Sequence, residues 1–87
     1  MADVYLPRSL ADLFPGSPRH LALAAGTVEE LVRALEGQWP GMWDRLCTAG
    51  PAVREHINIF VDGEKADLRT VLRPEAIVRI IPAVSGG

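Results

Sequence analysis

The sequence has few of the residues on which catalytic and metal sites usually depend. Its 87 residues include one cysteine and two histidines. A single cysteine excludes an intrachain disulfide and a cysteine-rich zinc site. His20 and His56 have no matching serine, cysteine or aspartate arrangement, so we expect structural or surface histidines. Asp62, Glu64 and Asp67 lack the full calcium-loop pattern. The sequence therefore predicts no catalytic residue and no metal site.

Excess positive charge and long apolar runs are also missing. The net charge is -2, whereas a nucleic-acid-binding protein needs a basic face. No apolar run approaches the roughly 18 residues of a membrane span. Residues 1–4 lack the basic start and apolar block of a signal peptide. We therefore expect a cytoplasmic protein whose partners are neither nucleic acid nor membrane.

The length and composition are those of one small globular domain. Hydrophobic residues make up 48 % of the chain and charged residues 23 %, as is usual for soluble proteins. Pro82 ends regular strand pairing because it has no N–H to donate. The sequence then stops on two glycines, which restrict the backbone least. We expect a folded domain over residues 1–82 and a flexible tail over residues 83–87.

One helix is predicted with particular clarity. Thr27 and Glu30 have the spacing of a capping box, in which the Thr hydroxyl accepts the N–H of Glu30 and the Glu side chain reaches back. Pro40-Gly41 ends the helix. The apolar residues between them recur at helical spacing and form one face: Val28, Leu31, Val32 and Leu35.

The remaining regular segments have the alternation of strands. In residues 57–61 the odd-numbered side chains face one way and the even-numbered ones the other, and Asp62-Gly63 is a strong signal for a type I′ hairpin turn. In the last strand Val78 and Ile80 face the core, while Ile77, Arg79 and Ile81 face outward. Further strand candidates cover residues 3–7, 19–24 and 64–66.

Three segments have weaker patterns. Residues 42–46 predict a further turn of helix, and residues 48–51 predict a loop. Leu68, Val71 and Leu72 predict a short turn of helix under the sheet. Cys47, in a segment rich in Trp and Leu, is interpreted as a small apolar filler of the core.

The order of the elements is strand, strand, helix, strand, short strand, strand. Strands with a single helix against one face form an α+β layer pair. The order predicts a β-grasp, or ubiquitin-like, fold, with a mixed sheet of four to five strands packed on one main helix. A ferredoxin-like fold would need a second long helix, which the sequence does not show.

The same residues resemble a known family. The segment INIFVDGE at residues 57–64, a spacer with Leu68 and Leu72, and the ending VRIIPAVSGG at residues 78–87 resemble the ThiS/MoaD family of prokaryotic sulfur carrier proteins. The capped helix and its Trp-Pro-Gly ending fit the same pattern. The resemblance covers nearly the whole chain, with the two glycines four and five residues after Pro82.

The resemblance implies a role for the tail. An E1-like enzyme would use ATP to adenylate the carboxylate of Gly87. A persulfide sulfur, from a cysteine desulfurase or a rhodanese-type donor, would then replace AMP, and the product is a C-terminal thiocarboxylate. An acceptor synthase would take the sulfur from the tail residues Val84, Ser85, Gly86 and Gly87. The carrier itself would bind no cofactor and catalyse no reaction.

A docking surface is expected beside the tail. Phe60 and Ile81 face away from the core, and Pro82 lies where the tail begins. Apolar groups on an exposed sheet face are usual at partner sites. The alternative is that these residues are buried.

The sequence leaves two further questions open. A rival function is a ubiquitin-like modifier joined through Gly87 to lysines of target proteins, and a third is a structural subunit whose tail inserts into a partner. Among sulfur acceptors, the ending resembles the MoaD-like branch that includes cysteine-forming carriers. Molybdopterin carriers more often have Pro at the position of Ala83. Cysteine or a related sulfur metabolite is therefore favoured, and molybdopterin comes next.

Overall fold

The computed structural model describes residues 1–82 and shows the predicted order of strands around one main helix. Two short strands and two short helices are present in addition. In chain order the elements are β1 (Ala2–Tyr5), α1 (Arg8–Leu13), β2 (His20–Leu23), α2 (Val28–Gln38), α3 (Met42–Leu46), β3 (Cys47–Thr48), β4 (Ala52–Val53), β5 (Ile57–Val61), β6 (Glu64–Ala66) and β7 (Ile77–Pro82).

The main sheet of this part of the chain has five strands in the order β2-β1-β7-β5-β6. β1 and β2 pair antiparallel, and β5 and β6 form the predicted antiparallel hairpin. β7 lies between these two pairs, parallel to β1 and antiparallel to β5. This mixed sheet, with α2 against its inner face, is the predicted β-grasp arrangement.

One hydrophobic core fills the space between α2 and the inner face of the sheet. Val78 and Ile80 of β7 are buried in it, whereas Ile77 and Ile81 are 41 % and 43 % exposed. The predicted alternation of β7 is therefore confirmed. Fully burying one aliphatic side chain stabilises a fold by about 1.5–3 kcal/mol, so two such residues hold β7 firmly in the sheet.

The predicted capping box at the start of α2 is confirmed. Thr27 Oγ1 accepts a hydrogen bond from Glu30 N at 3.2 Å, and Glu30 Oε1 accepts one from Gly26 N at 2.9 Å. The four predicted apolar residues are all buried on one face of the helix. The helix ends at Gln38, before Pro40, as the sequence indicates.

The loop between β6 and β7 completes the cap of α2. Val28 N donates to the Thr70 carbonyl and Glu29 N donates to the Leu68 carbonyl, both at 3.0 Å. The first N–H groups of a helix have no partner within the helix. Here the loop backbone supplies those partners, so the start of α2 and the approach to β7 are joined.

The predicted turn of helix in this loop is therefore wrong. Leu68 and Leu72 are buried as expected, but Val71 is 69 % exposed and forms an isolated bridge with Thr27. The carbonyl groups of Leu68 and Thr70 accept hydrogen bonds from the first turn of α2, so they are not free to accept bonds within a local helix. Apolar spacing alone could not reveal this long-range use of the backbone.

The hairpin turn between β5 and β6 is as predicted. Asp62 and Gly63 have φ angles of 51° and 87°, the positive values that a type I′ turn requires. Asp62 also fixes the start of β7: its Oδ1 accepts from Ile77 N at 2.9 Å, and its N donates to the Ile77 carbonyl at 2.8 Å.

The segment after α2 is more ordered than the predicted loop. The predicted turn of helix at residues 42–46 is confirmed as α3, but β3 and β4 then pair antiparallel, with Cys47 opposite Val53. Cys47 is 1 % exposed and packs in the core as predicted. Burial raises the pKa of its thiol from 9.0 to about 11, with a smaller opposing effect from Arg33 and Arg54.

We predict that Thr27→Ala lowers the free energy of unfolding by about 1 kcal/mol, because the Glu30 N–H loses its side-chain acceptor. Urea denaturation measures the loss. Thr27→Ser keeps the hydroxyl and is the matched control, so its stability should stay close to that of the wild type. An equal loss in both variants would contradict the capping role.

Cys47 should also make stability fall at high pH. The folded pKa lies above the unfolded value, so the thiol's contribution is present below pH 9.0 and is lost as the pH rises toward about 11. Denaturation of wild type and Cys47→Ala at several pH values tests this. The wild type should lose more stability than the variant over that range, and parallel curves would argue against a contribution from the thiol.

Burial should also make the Cys47 thiol unreactive. Because the thiolate is the reactive form, thiol reagents should modify the folded protein slowly at neutral pH.

Candidate functional site

The end of β7 is the point from which the predicted tail starts. Pro82 is its last residue and pairs with Ile57 of β5. β7 is the third of the five strands, so this point lies in the middle of the sheet and not at an outer strand. The predicted tail residues lie outside the described part of the chain: Val84, Ser85, Gly86 and Gly87.

The structure brings two of the predicted docking residues together on the outer face of the sheet. Phe60 pairs with Arg79, and Ile81 is two residues further along β7, so Phe60 and Ile81 are diagonal neighbours. Ile81 is 43 % exposed and Phe60 is half-buried. Pro82 is also half-buried and follows on the opposite side of the strand. Their role in docking stays a prediction.

A row of side chains crosses the outer face next to these residues. The register places His20, Tyr5, Arg79 and Phe60 opposite one another on four adjacent strands. The rings of His20 and Tyr5 are stacked, with centroids 4.2 Å apart and planes at 4°. The Arg79 Cζ lies 4.4 Å from the centroid of the Tyr5 ring. The phenol ring thus contacts an imidazole and a guanidinium.

Sequence reasoning did not identify this row as part of a site. Alternation correctly placed Arg79 on the outside of its strand. The register between β1 and β7 is what makes Tyr5 and Arg79 neighbours, and these strands are separated by most of the chain. A signal was present in the β-grasp order itself, because that order predicts that the first and last strands pair.

A groove runs along this row to the start of the tail. It has a volume of about 430 Å³, and its lining includes Tyr5, Arg19, His20, Arg79, Ile81 and Pro82. None of the described residues that line it is acidic. We call this space on the outer face the basic groove. It lies directly beside Pro82.

A second and smaller groove lies on the other side of Pro82. Its volume is about 140 Å³, and its lining includes Leu10 and Leu13 of α1, Leu46 of α3 and Ile57 of β5. Leu13 is 52 % exposed. Pro82 lines both grooves, so a protein that encloses the tail would contact one or both of them.

The two histidines lie at the surface, as the sequence predicts. His20 is exposed, with its Nε2 at 3.5 Å from Asp3 Oδ1. His56 is exposed in the turn before β5. Over residues 1–82, His, Cys, Asp and Glu form no group of three or more that could hold a metal ion. No helix in that same part of the chain is long and apolar enough to cross a membrane.

Solved structures with the same fold cover 97–100 % of this chain. A chain of the Amycolatopsis orientalis BexX/CysO complex is 24 % identical, with a TM-score of 0.89 and complete coverage of both chains. Mycobacterium tuberculosis CysO is also 24 % identical, with a TM-score of 0.84 over 97 % of this chain and 100 % of that one. SAMP1 from Haloferax volcanii is 28 % identical, with a TM-score of 0.81 and coverage of 99 % and 98 %. A search of curated proteins found no match.

The family is established by the sequence as a whole. The model of the ThiS family matches residues 9–87, a range that includes both glycines at the end of the sequence. The ubiquitin-like arrangement of sheet and helix agrees with this match. The chain therefore belongs to the ThiS family, as its resemblance to the ThiS/MoaD sulfur carriers predicts.

Proposed function

We propose that this protein is a sulfur carrier whose Gly87 carboxylate is adenylated by an E1-like enzyme and converted to a thiocarboxylate. The supporting observation is the family match, which extends through Gly86 and Gly87 on a chain whose central strand ends at Pro82. The protein acts as a co-substrate of other enzymes in the cytoplasm. It binds no cofactor of its own, and the ATP is used by the activating enzyme.

Adenylation is required by the chemistry of a carboxylate. A C-terminal carboxyl group has a pKa of about 3.5 and is ionised at pH 7, so it is a poor electrophile. Attack of its oxygen on the α-phosphorus of ATP releases pyrophosphate and creates an acyl-adenylate. The terminal sulfur of a persulfide, from a cysteine desulfurase or a rhodanese-type donor, then displaces AMP. A thiol reduces the resulting acyl disulfide, which leaves the thiocarboxylate.

The folded domain must supply most of the affinity for these enzymes. Fixing the backbone of one residue costs about 1–2 kcal/mol, so fixing five tail residues costs roughly 5–10 kcal/mol. At about 25 cal/mol per Å² of apolar surface, offsetting that cost requires burial of roughly 200–400 Å². Phe60 and Ile81 are apolar and lie on the outer face, and Pro82 lies where the tail begins. These three residues are the docking contacts that we propose.

Glycine suits the residue that is activated. Gly86 and Gly87 have no side chains, so the backbone can enter a narrow channel and approach a nucleotide closely. The acceptor is a synthase that takes the sulfur from the thiocarboxylate. A synthase for cysteine or a related sulfur metabolite is favoured, and molybdopterin synthase comes next. Mixing the thiocarboxylate form with each candidate synthase and its substrate shows which of them accepts the sulfur.

Conjugation to proteins is the second candidate function. It is favoured by the likeness to the Haloferax volcanii protein named small archaeal modifier protein 1. Both functions share the acyl-adenylate and differ in whether sulfur or a lysine amine attacks it. Intact mass spectrometry separates them: a carrier gains sulfur in place of oxygen, whereas a modifier is recovered as higher-mass conjugates.

We predict that Gly87→Ala lowers kcat/KM for activation by the cognate E1-like enzyme at least about tenfold, which corresponds to about 1.4 kcal/mol in the barrier. The reason is the added methyl group at the reacting carboxylate. Pyrophosphate exchange measures the step. Ser85→Ala, a change two residues earlier, is the control and should have a smaller effect. Equal activation of Gly87→Ala and wild type, at equal thermal stability, would refute the proposal.

The docking surface predicts a different pattern for Phe60→Asp and Ile81→Asp. Each should weaken binding to the E1-like enzyme about tenfold, because a carboxylate in an apolar contact must be desolvated. Each should lower the melting temperature less than a core substitution such as Ile80→Asp. Val71→Asp, at a 69 % exposed site on the loop before β7, is the control for binding. Stability losses without a loss of affinity would show that Phe60 and Ile81 serve only the fold.

A further inference from the structure

The basic groove has the opposite charge to the protein as a whole. The chain has a net charge of -2, yet the groove is lined by Arg19, His20 and Arg79 and by none of the described acidic residues. All three of these side chains belong to exposed residues. Two arginines and a histidine therefore lie beside Pro82, within reach of any protein that binds there.

The two arginines are not neutralised within residues 1–82. In that part Arg33 forms an ion pair with Glu29, and the His20 imidazole lies 3.5 Å from a carboxylate oxygen of Asp3. Neither Arg19 nor Arg79 has a described carboxylate within 4.0 Å. Two guanidinium groups beside Pro82 are thus available to a partner.

Arg79 is held in place by an aromatic contact. Its guanidinium lies over the Tyr5 ring at 4.4 Å, and the other face of that ring is stacked on His20. Stacking uses the flat face of a guanidinium and leaves its N–H donors at the edge, where they match the two oxygens of a carboxylate. Because the side chain is already ordered, less entropy is lost when a carboxylate binds.

We propose that the basic groove receives an acidic segment of the E1-like enzyme that activates the tail, with aspartate or glutamate carboxylates on Arg79 and Arg19. This inference rests on the proposed function, because it takes that enzyme as the partner. Ile81 and Pro82 line the same groove, so an enzyme that encloses the residues after Pro82 also covers the arginines. Covering them without a counter-charge would leave two desolvated cations, which is costly.

A protein partner is favoured over a nucleic acid. Binding to nucleic acid depends on neutralising many phosphates over an extended basic surface. The groove offers two arginines and one histidine, and the chain as a whole has more acidic than basic residues, 11 against 9. That balance would repel a polyanion beyond the groove but tolerates a short acidic segment.

Steady-state adenylation by the cognate enzyme tests the proposal. Arg79→Glu and Arg19→Glu should each raise KM about tenfold and change kcat little, as expected when a complementary charge is reversed. Arg69→Glu, on the loop before β7, is the matched control and should stay within about twofold of wild type. The wild-type KM should rise with salt more steeply than that of the Arg19→Glu, Arg79→Glu double variant. A double variant that matches Arg69→Glu in KM and in salt dependence would overturn the proposal.

Two further measurements keep the outcomes distinct. If Arg79→Glu lowers the melting temperature because the Tyr5 contact is lost, the KM of Arg19→Glu alone decides whether the groove binds the enzyme. If the enzyme does not activate even the wild type, the proposed function fails, and NMR titration then decides on the groove. Hexaglutamate should shift the signals of Tyr5 and Arg79 and hexalysine should not. No shift with hexaglutamate, or stronger binding of an oligothymidylate at the same residues, would exclude an acidic protein segment.

Discussion

The placement of β7 between β1 and β5 is the constraint on which the rest of the structure depends. The last described strand of the chain is hydrogen-bonded on both sides, to β1 over residues 77–79 and to β5 over residues 78–82. Val78 and Ile80 fix its inner face in the core. The outer face and the end of the strand are fixed as a consequence. The residues after Pro82 therefore start from a defined point on a stable sheet.

The central position of β7 is supported by contacts that are remote in sequence. The loop before β7 supplies carbonyl groups to the first turn of α2, while Thr27 and Glu30 complete the same cap. Asp62, in the turn after β5, bonds to the first residue of β7 through both its backbone and its side chain. Helix, hairpin and final strand thus share hydrogen bonds, so each one stabilises the geometry of the others.

The parts of the fold that depend on local chemistry could be predicted from the sequence. The cap at Thr27, the turn at Asp62-Gly63 and the alternation in β7 each follow from residues close together in the chain. The helix predicted around Val71 was wrong because its neighbours' carbonyls bond to α2, forty residues earlier. The β3–β4 pair was missed because strands of two residues have no readable alternation. The stack of Arg79 on Tyr5 was missed because it depends on the register between the first and last strands.

On the proposed function, the position of the grooves limits how the enzymes share the carrier. Gly86 and Gly87 have no side chains, so the tail offers little by which enzymes could tell one carrier from another. Discrimination must then come from the outer face, at residues such as Ile81 and Arg79. Because both grooves meet at Pro82, the activating enzyme and the acceptor compete for one surface. The carrier must therefore leave the activating enzyme to reach the acceptor.

The strength of these complexes is limited by the same requirement. A carrier–enzyme complex with a Kd of about 1 μM and a typical association rate constant of about 10⁵–10⁷ M⁻¹s⁻¹ has a lifetime of roughly 0.1–10 s. Much tighter binding would slow the transfer, which argues for a small contact surface with a few well-placed charges.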